Sequence, residues 1–394
     1  MTEFTSKKWI LPVIILSQFF CTSLWFAGNA VLLDIIKDFS LDHTFLADLT
    51  SAVQFGFISG TLLFALLTIA DRCSPVVVFF CCALIGAGFN MCMIIDGIFP
   101  SALLLFRFCT GFFLAGIYPV GMKIASDHYQ KGLGRSLGFL VGALVIGTAL
   151  PHLLKSISAQ LPWKYVVISI SSLAVLGGFL MWLLVADGPY RKPSSSIKFT
   201  SFVSGFKNTN FRAAAMGYFG HMWELYSFWA FVPVMLTANK INCHNDINVS
   251  LLSFLIIAPG ALACAVSGLL SQRFGAKKIA TIALVLSCSC CLLSPLFLYS
   301  TSLPILIAFL VFWGLVVIAD SPLFSTLIAQ NVADTSRGTS LTIINCIGFS
   351  ITIISIQLLK LLSQYIDAKY VYMVLAIGPI AGLYAMFKNN RQTF

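Results

Sequence analysis

Residues 303–322 read Leu303-Pro-Ile-Leu-Ile-Ala-Phe-Leu-Val-Phe-Trp-Gly314-Leu-Val-Val-Ile-Ala-Asp320-Ser-Pro322. Seventeen residues pass before the first charge, and a proline stands two positions beyond it. A run of about 20 apolar residues matches the hydrocarbon thickness of a bilayer when wound as a helix. In lipid every backbone polar group must be satisfied within the segment, so helix is the expected state. Comparable blocks recur along the chain. Of its 394 residues 59% are hydrophobic and only 10% charged. A soluble domain of this length needs more charge to cover its surface.

Working outward, the blocks place twelve spans near 10–33, 44–69, 75–95, 99–122, 136–158, 164–186, 211–238, 249–270, 277–298, 302–329, 338–362 and 368–387. The first begins after Lys7 and Lys8 and ends in Ala27-Gly28-Asn29-Ala30, which has the form of a signal peptide. Eleven further spans and a run long enough to cross favour an uncleaved first helix. The net charge of +10 sits in short links between the blocks. That distribution reads as membrane orientation, not as a nucleic-acid footprint. With the termini placed in the cytoplasm, the links on their side carry seventeen Lys and Arg against six on the other. Both termini are therefore expected inside.

Most of the twelve cysteines lie within apolar blocks, and Cys288, Cys290 and Cys291 lack metal-ligand spacing. The reading assigns no disulfide framework, no metal site and no cofactor. No Walker-type phosphate loop is present, so ATP-driven pumping is unsupported.

The fourth span contains Gly111-Phe-Phe-Leu-Ala-Gly-Ile-Tyr-Pro119 and the tenth Gly314-Leu-Val-Val-Ile-Ala-Asp-Ser-Pro322, with the same Gly-to-Pro spacing. An arginine follows each, Arg135 and Arg337. The longest polar link, 187–210, holds Pro189, Pro193 and Ser194-Ser195-Ser196. Together these predict a six-plus-six duplication: residues 1–186, a linker 187–210, and residues 211–394.

The links after spans two and eight resemble the signature loop of the major facilitator superfamily. After span eight the chain reads Gly268-Leu-Leu-Ser-Gln272-Arg273-Phe-Gly275-Ala-Lys277-Lys278, with Gln272 in place of the acid. After span two Asp71-Arg72 stand without the glycines and the trailing basic pair. Arg107-Phe-Cys-Thr-Gly111 matches a further family pattern. The runs Tyr118-Pro-Val-Gly-Met-Lys123, Pro151-His152 and Gly217-Tyr-Phe-Gly-His-Met-Trp-Glu-Leu-Tyr226 resemble a subgroup of bacterial transporters. The resemblance implies an all-α membrane protein with twelve transmembrane helices in two pseudo-symmetric six-helix bundles. It also implies alternating access around a central cavity, a bacterial inner-membrane location, and action as a monomer. In the family the signature loop closes the cytoplasmic gate, which carries a gating role to Asp71, Arg72, Arg273, Lys277 and Arg337.

Ionisable groups inside spans are costly and mark function by default. Glu224 lies thirteen residues after Phe211, roughly 20 Å along a helix. His221 is on the same helical face. A carboxyl removed from water can exchange a proton near neutral pH, and a histidine can share it. A structural hydrogen bond is the competing reading. Asp320 precedes Ser321-Pro322, where freed carbonyls can line a cavity, and is a third coupling candidate. Arg107, roughly 12 Å into span four, is the candidate anchor for an anionic group. Trp25, Gln54, Tyr118, Trp223, Tyr226 and Asn345 are candidates to line the substrate site, against a packing role. Lys123 reads as a surface charge. The expected activity is secondary transport of a small, anionic organic solute, coupled to protons. The alternatives are an exporter of amphipathic compounds and a non-transporting membrane receptor. An enzyme is not expected, because no nucleophile or metal constellation assembles.

Overall fold

The structure is a computed structural model. It describes residues 9–42, 44–129, 133–191, 205–244, 246–332 and 337–390, with only the helical backbone at 133–135 and 389–390. Lys7, Lys8, Lys131, Lys192, Lys198, Arg391, the Arg135 side chain and Ser194-Ser195-Ser196 lie outside the described residues. Helices account for nearly all of the described chain, which divides into two compact units, Met1–Ser196 and Ile197–Phe394.

Among the described residues ten helical segments are long and apolar enough to cross a membrane. The first and seventh spans are not among them, for two different reasons. The first is broken into Ile10–Thr22, Ala27–Ala30 and Leu32–Phe39. The seventh is a single helix, Thr209–Asn242, that carries His221 and Glu224 and turns most of its surface toward neighbouring helices. A helix enclosed by protein has no need of an all-round apolar surface.

The fourth and tenth spans each break at the repeated Gly-to-Pro segment. Pro100–Leu114 gives way to Tyr118–His128, and Leu303–Ala319 to Ser321–Gln330. Pro119 and Pro322 each stand in the first turn of the restarted helix. A proline there costs nothing, because its missing N–H has no intrahelical acceptor. The fourth span therefore runs on to His128, beyond the expected end at 122.

The repeated glycines do equivalent work. A Cβ on Gly111 would stand 1.9 Å from the Val53 carbonyl oxygen, and one on Gly314 would stand 2.3 Å from that of Ile256. An identical offset, 203 residues, separates Gly111 from Gly314 and Val53 from Ile256. Small residues at helix crossings let backbones close up where lipid supplies no hydrophobic drive. The packing repeats as well. In the first unit span two packs on four, span one on five and six, and span three on four and six. In the second, span eight packs on ten, seven on eleven and twelve, and nine on ten and twelve.

At the loop after span eight, Gly275 has φ 87° and ψ 138°. Side chains rarely adopt that conformation, so the signature glycine is needed for the turn into Ala276–Phe297.

Gly111→Ala is expected to destabilise the protein by about 1–3 kcal/mol, because the methyl meets backbone rather than a movable side chain. Gly88→Ala, where nothing lies within 4 Å, is the control. Thermal unfolding in detergent reads both; equal midpoints would show that the Gly111 contact carries no packing role.

Candidate functional site

The second unit buries two acids beside one helix. Glu224 is fully buried on the seventh span. The Trp313 indole Nε1 donates to its Oε1 at 2.6 Å, and the Ser287 hydroxyl to its Oε2 at 2.9 Å. The Cys291 thiol also reaches the carboxyl. These donors come from the ninth and tenth spans, so Glu224 ties three helices together. Among the described residues no lysine or arginine forms an ion pair with it.

One turn earlier, His221 Nδ1 lies 2.7 Å from Asp320 Oδ1, and both side chains are 1% exposed. Asp320 occupies the break in the tenth span, where the backbone N–H groups of Leu323 and Phe324 meet its carbonyl. His221 is thus committed to Asp320 and not to Glu224, although the two share a face of the seventh span. The reason is geometric: the break leaves Asp320 pointing across to the seventh helix, while Trp313 occupies the space beside Glu224. The rings of Tyr218 and Phe324 flank His221 at centroid distances of 6.1 and 6.3 Å. The Tyr218 hydroxyl donates to Asn345 Oδ1 at 2.9 Å. Asn345 therefore lies one aromatic ring from the His221–Asp320 pair.

Two of the other expected substrate contacts are tied into helix packing. Trp223 Nε1 donates to the Val374 carbonyl of the twelfth span at 3.1 Å. Tyr226 packs between Trp229 and Phe349.

In the first unit Arg107 is fully buried, which excludes extension of its head to the surface. Nη1 donates to Asn90 Oδ1 at 3.0 Å, and Asn90 Nδ2 donates to Ser171 Oγ at 2.9 Å. Nη2 donates to the Trp25 carbonyl, freed where the first span breaks. Nε has no hydrogen-bond partner, and among the described residues no carboxylate pairs with this guanidinium. Trp25 packs on Phe57 at 4.7 Å, and Gln54 is buried in the second span. Tyr118 is half-buried at the restart of the fourth. Among the described residues no group of three or more His, Cys, Asp or Glu is placed to hold a metal ion.

The Major Facilitator Superfamily model matches residues 14–356, with a second match over 214–392. The chain belongs to the major facilitator superfamily. Solved structures agree on the fold. The nucleoside transporter NupG superposes with a TM-score of 0.74 at 15% identity, covering 96% of this chain and 99% of that one. A bacterial homologue of the human lysosomal transporter Spinster, in its inward-facing occupied form, gives 0.73 at 15% identity over 98% of each chain. Its unoccupied form gives 0.65 at 16% identity, over 98% of this chain and 96% of that one. No curated protein sequence matches the chain significantly. This facilitator is a multi-pass membrane transporter and not an enzyme.

Its two signature loops differ in chemistry. After span two, Lys123 Nζ lies 3.0 Å from Asp71 and 3.6 Å from Asp127. Lys123, read from the sequence as a surface charge, therefore bridges two acids. Arg191 pairs with Asp187 at 2.9 Å and donates to the carbonyls of Asp71 and Cys73. The Tyr190 N–H bonds the Asp127 carbonyl. The segment after span six is thereby clamped to the loop after span two, while Arg72 is exposed. After span eight, Arg273 and Lys278 instead lie over the Phe274 ring, at 5.3 and 6.0 Å. Arg337 donates to the Ala329 carbonyl at 3.1 Å. With Gln272 in place of the acid, residues 268–278 contain no carboxylate of their own.

A double-mutant cycle on Asp71→Asn and Lys123→Gln is expected to show a coupling of about 1 kcal/mol in unfolding, since both groups are mostly shielded from water. Strictly additive losses would show that this contact holds nothing.

Proposed function

We propose that this facilitator carries a small organic anion across a bacterial inner membrane by alternating access, coupled to protons, as a monomer with both termini in the cytoplasm. What supports the coupling is a pair of buried acids that meet the seventh span on adjoining turns, Glu224 on that span and Asp320 reaching His221 from the break in the tenth. Among the described residues the Glu224 carboxyl is held by neutral donors, and the Asp320 carboxyl faces His221. An ionised carboxylate there has no permanent counter-charge, so gain or loss of a proton changes how strongly spans nine and ten are held to span seven. The His221 imidazole can pass a proton to or from Asp320 through Nδ1. Such a link between protonation and helix contact is what a coupled carrier requires.

The anionic class rests on Arg107. Its charge is permanent and buried, its partners Asn90 Oδ1 and the Trp25 carbonyl are neutral oxygens, and Nε carries an uncommitted hydrogen. A carboxylate or similar group on the solute would supply the missing counter-charge. The Trp25 carbonyl, held by the same guanidinium, links occupancy to the broken first span.

Proteoliposomes with an internal pH indicator test this reading against a panel of organic anions and matched neutral solutes. Wild type is expected to show solute-dependent proton uptake, reduced at least tenfold by Glu224→Gln or Asp320→Asn. Arg107→Lys is expected to raise the apparent KM for the anion about tenfold, because the planar fork is lost while the charge remains. Proton flux unchanged by both acid substitutions would remove coupling at these sites. Equal transport of neutral solutes would remove the anion assignment.

A further inference from the structure

The two oxygens of Glu224 are not equivalent. Oε1 accepts the Trp313 indole N–H at 2.6 Å, and Oε2 accepts the Ser287 hydroxyl at 2.9 Å. An indole N–H donates and never accepts. Oε1 therefore stays an acceptor in both protonation states, and a proton on this carboxyl belongs on Oε2. A serine hydroxyl differs from an indole, because it both donates and accepts.

The Ser287 hydroxyl also has a second acceptor, the Leu284 carbonyl of its own helix at 3.3 Å. Both acceptors are reached from one position of Oγ, so only the hydroxyl hydrogen has to turn. With Glu224 ionised, that hydrogen points to Oε2. When Oε2 takes a proton, the new O–H points to Ser287 Oγ, and the serine hydrogen turns to the Leu284 carbonyl. Every polar atom of the contact stays paired in both states. The Cys291 thiol also reaches the carboxyl, but sulfur is a weak donor and a weak acceptor. The other titratable groups that bear on Glu224 are Cys288 and Cys290 of the ninth span and Asp320 of the tenth. His221, on its own span, is turned to Asp320. None of these is a permanent cation.

The two contacts respond unequally to the proton. A hydrogen bond to an ionised group is about twice as strong as one between neutral groups. Protonation takes that charge away from the Trp313 bond, which becomes an ordinary bond to a carbonyl oxygen. The Ser287 contact instead reverses its direction and persists. We propose that Ser287 is the positioning residue that receives the proton on Glu224 Oε2, so that protonation loosens span seven from span ten while keeping it on span nine. The inference rests on the proposed proton exchange at Glu224, and adds where the proton sits and which helix contact it releases.

Infrared difference spectroscopy of the reconstituted full chain tests it, with the Glu224 carboxyl band assigned by its loss in Glu224→Gln. A carboxyl whose hydroxyl has an acceptor absorbs at lower wavenumber than one whose hydroxyl has none. Ser287→Ala is therefore expected to move the Glu224 band to higher wavenumber. Ser287→Cys, close in size but a weak acceptor, should place the band between the two. Ser289→Ala removes a hydroxyl that bonds the Val285 carbonyl of the same helix, and should leave the band in place. The proton resonance of the Trp313 indole N–H, assigned by its loss in Trp313→Phe, should move upfield as Glu224 takes its proton. A titrating Glu224 band unmoved by Ser287→Ala would overturn this inference and leave proton exchange at Glu224 standing. An indole resonance constant across the titration would do the same. A wild-type spectrum without a titrating Glu224 band would overturn both readings.

Discussion

A carboxyl group in the apolar interior of a helical bundle must be hydrogen-bonded, and Glu224 meets that demand by recruiting Trp313 and Ser287 from two other spans. The seventh span is thereby fixed against the ninth and tenth at one level. The His221–Asp320 contact fixes it against the tenth again, one turn away. Close approach of Gly220 to the Gly378 carbonyl, and the Ser227–Ser355 hydrogen bond, secure it to the twelfth and eleventh. The seventh helix is the hub of its unit, and its polar contacts include both buried acids.

The first unit is organised by a cation instead. Arg107 braces the broken first span through the Trp25 carbonyl and reaches the third and sixth through Asn90 and Ser171. The two units repeat the same helix pairings and the same glycine crossings, yet one centres on a buried guanidinium and the other on buried acids. The signature loops differ too: in the first unit Lys123 and Arg191 pair with Asp71, Asp127 and Asp187, whereas in the second Arg273 and Lys278 lie over the Phe274 ring. A shared backbone plan thus carries different chemistry at corresponding levels, as expected when function resides in sites placed on a fold.

Much of the architecture was legible in the sequence. Apolar block length located the spans, and the Gly-to-Pro repeat marked both helix breaks and both close crossings. Burial of Glu224, His221, Asp320 and Arg107 followed from the cost of charge in a span. Partner choice was not legible. Spacing along one helix put His221 beside Glu224, whereas the structure pairs it with a residue 99 positions on, because the helix break redirects Asp320. Trp313 and Asn90 gave no signal, since an indole or an amide in an apolar block reads as packing or belt. The Lys123 bridge was not legible because the fourth span is longer than its hydropathy indicated, which carries the lysine to the level of Asp71. Trp223 and Tyr226, read as candidates to line a ligand surface, also make contacts between helices that their spacing did not reveal.

The central claim is that the acids of the seventh and tenth spans change protonation within the working pH range. Infrared difference spectroscopy of the reconstituted protein, stepped across neutral pH, reads this directly through the carboxyl stretching band of a protonated acid. The account predicts a titrating band that loses one component in Glu224→Gln and another in Asp320→Asn. A spectrum with no titrating carboxyl band, or one that neither substitution alters, would contradict it.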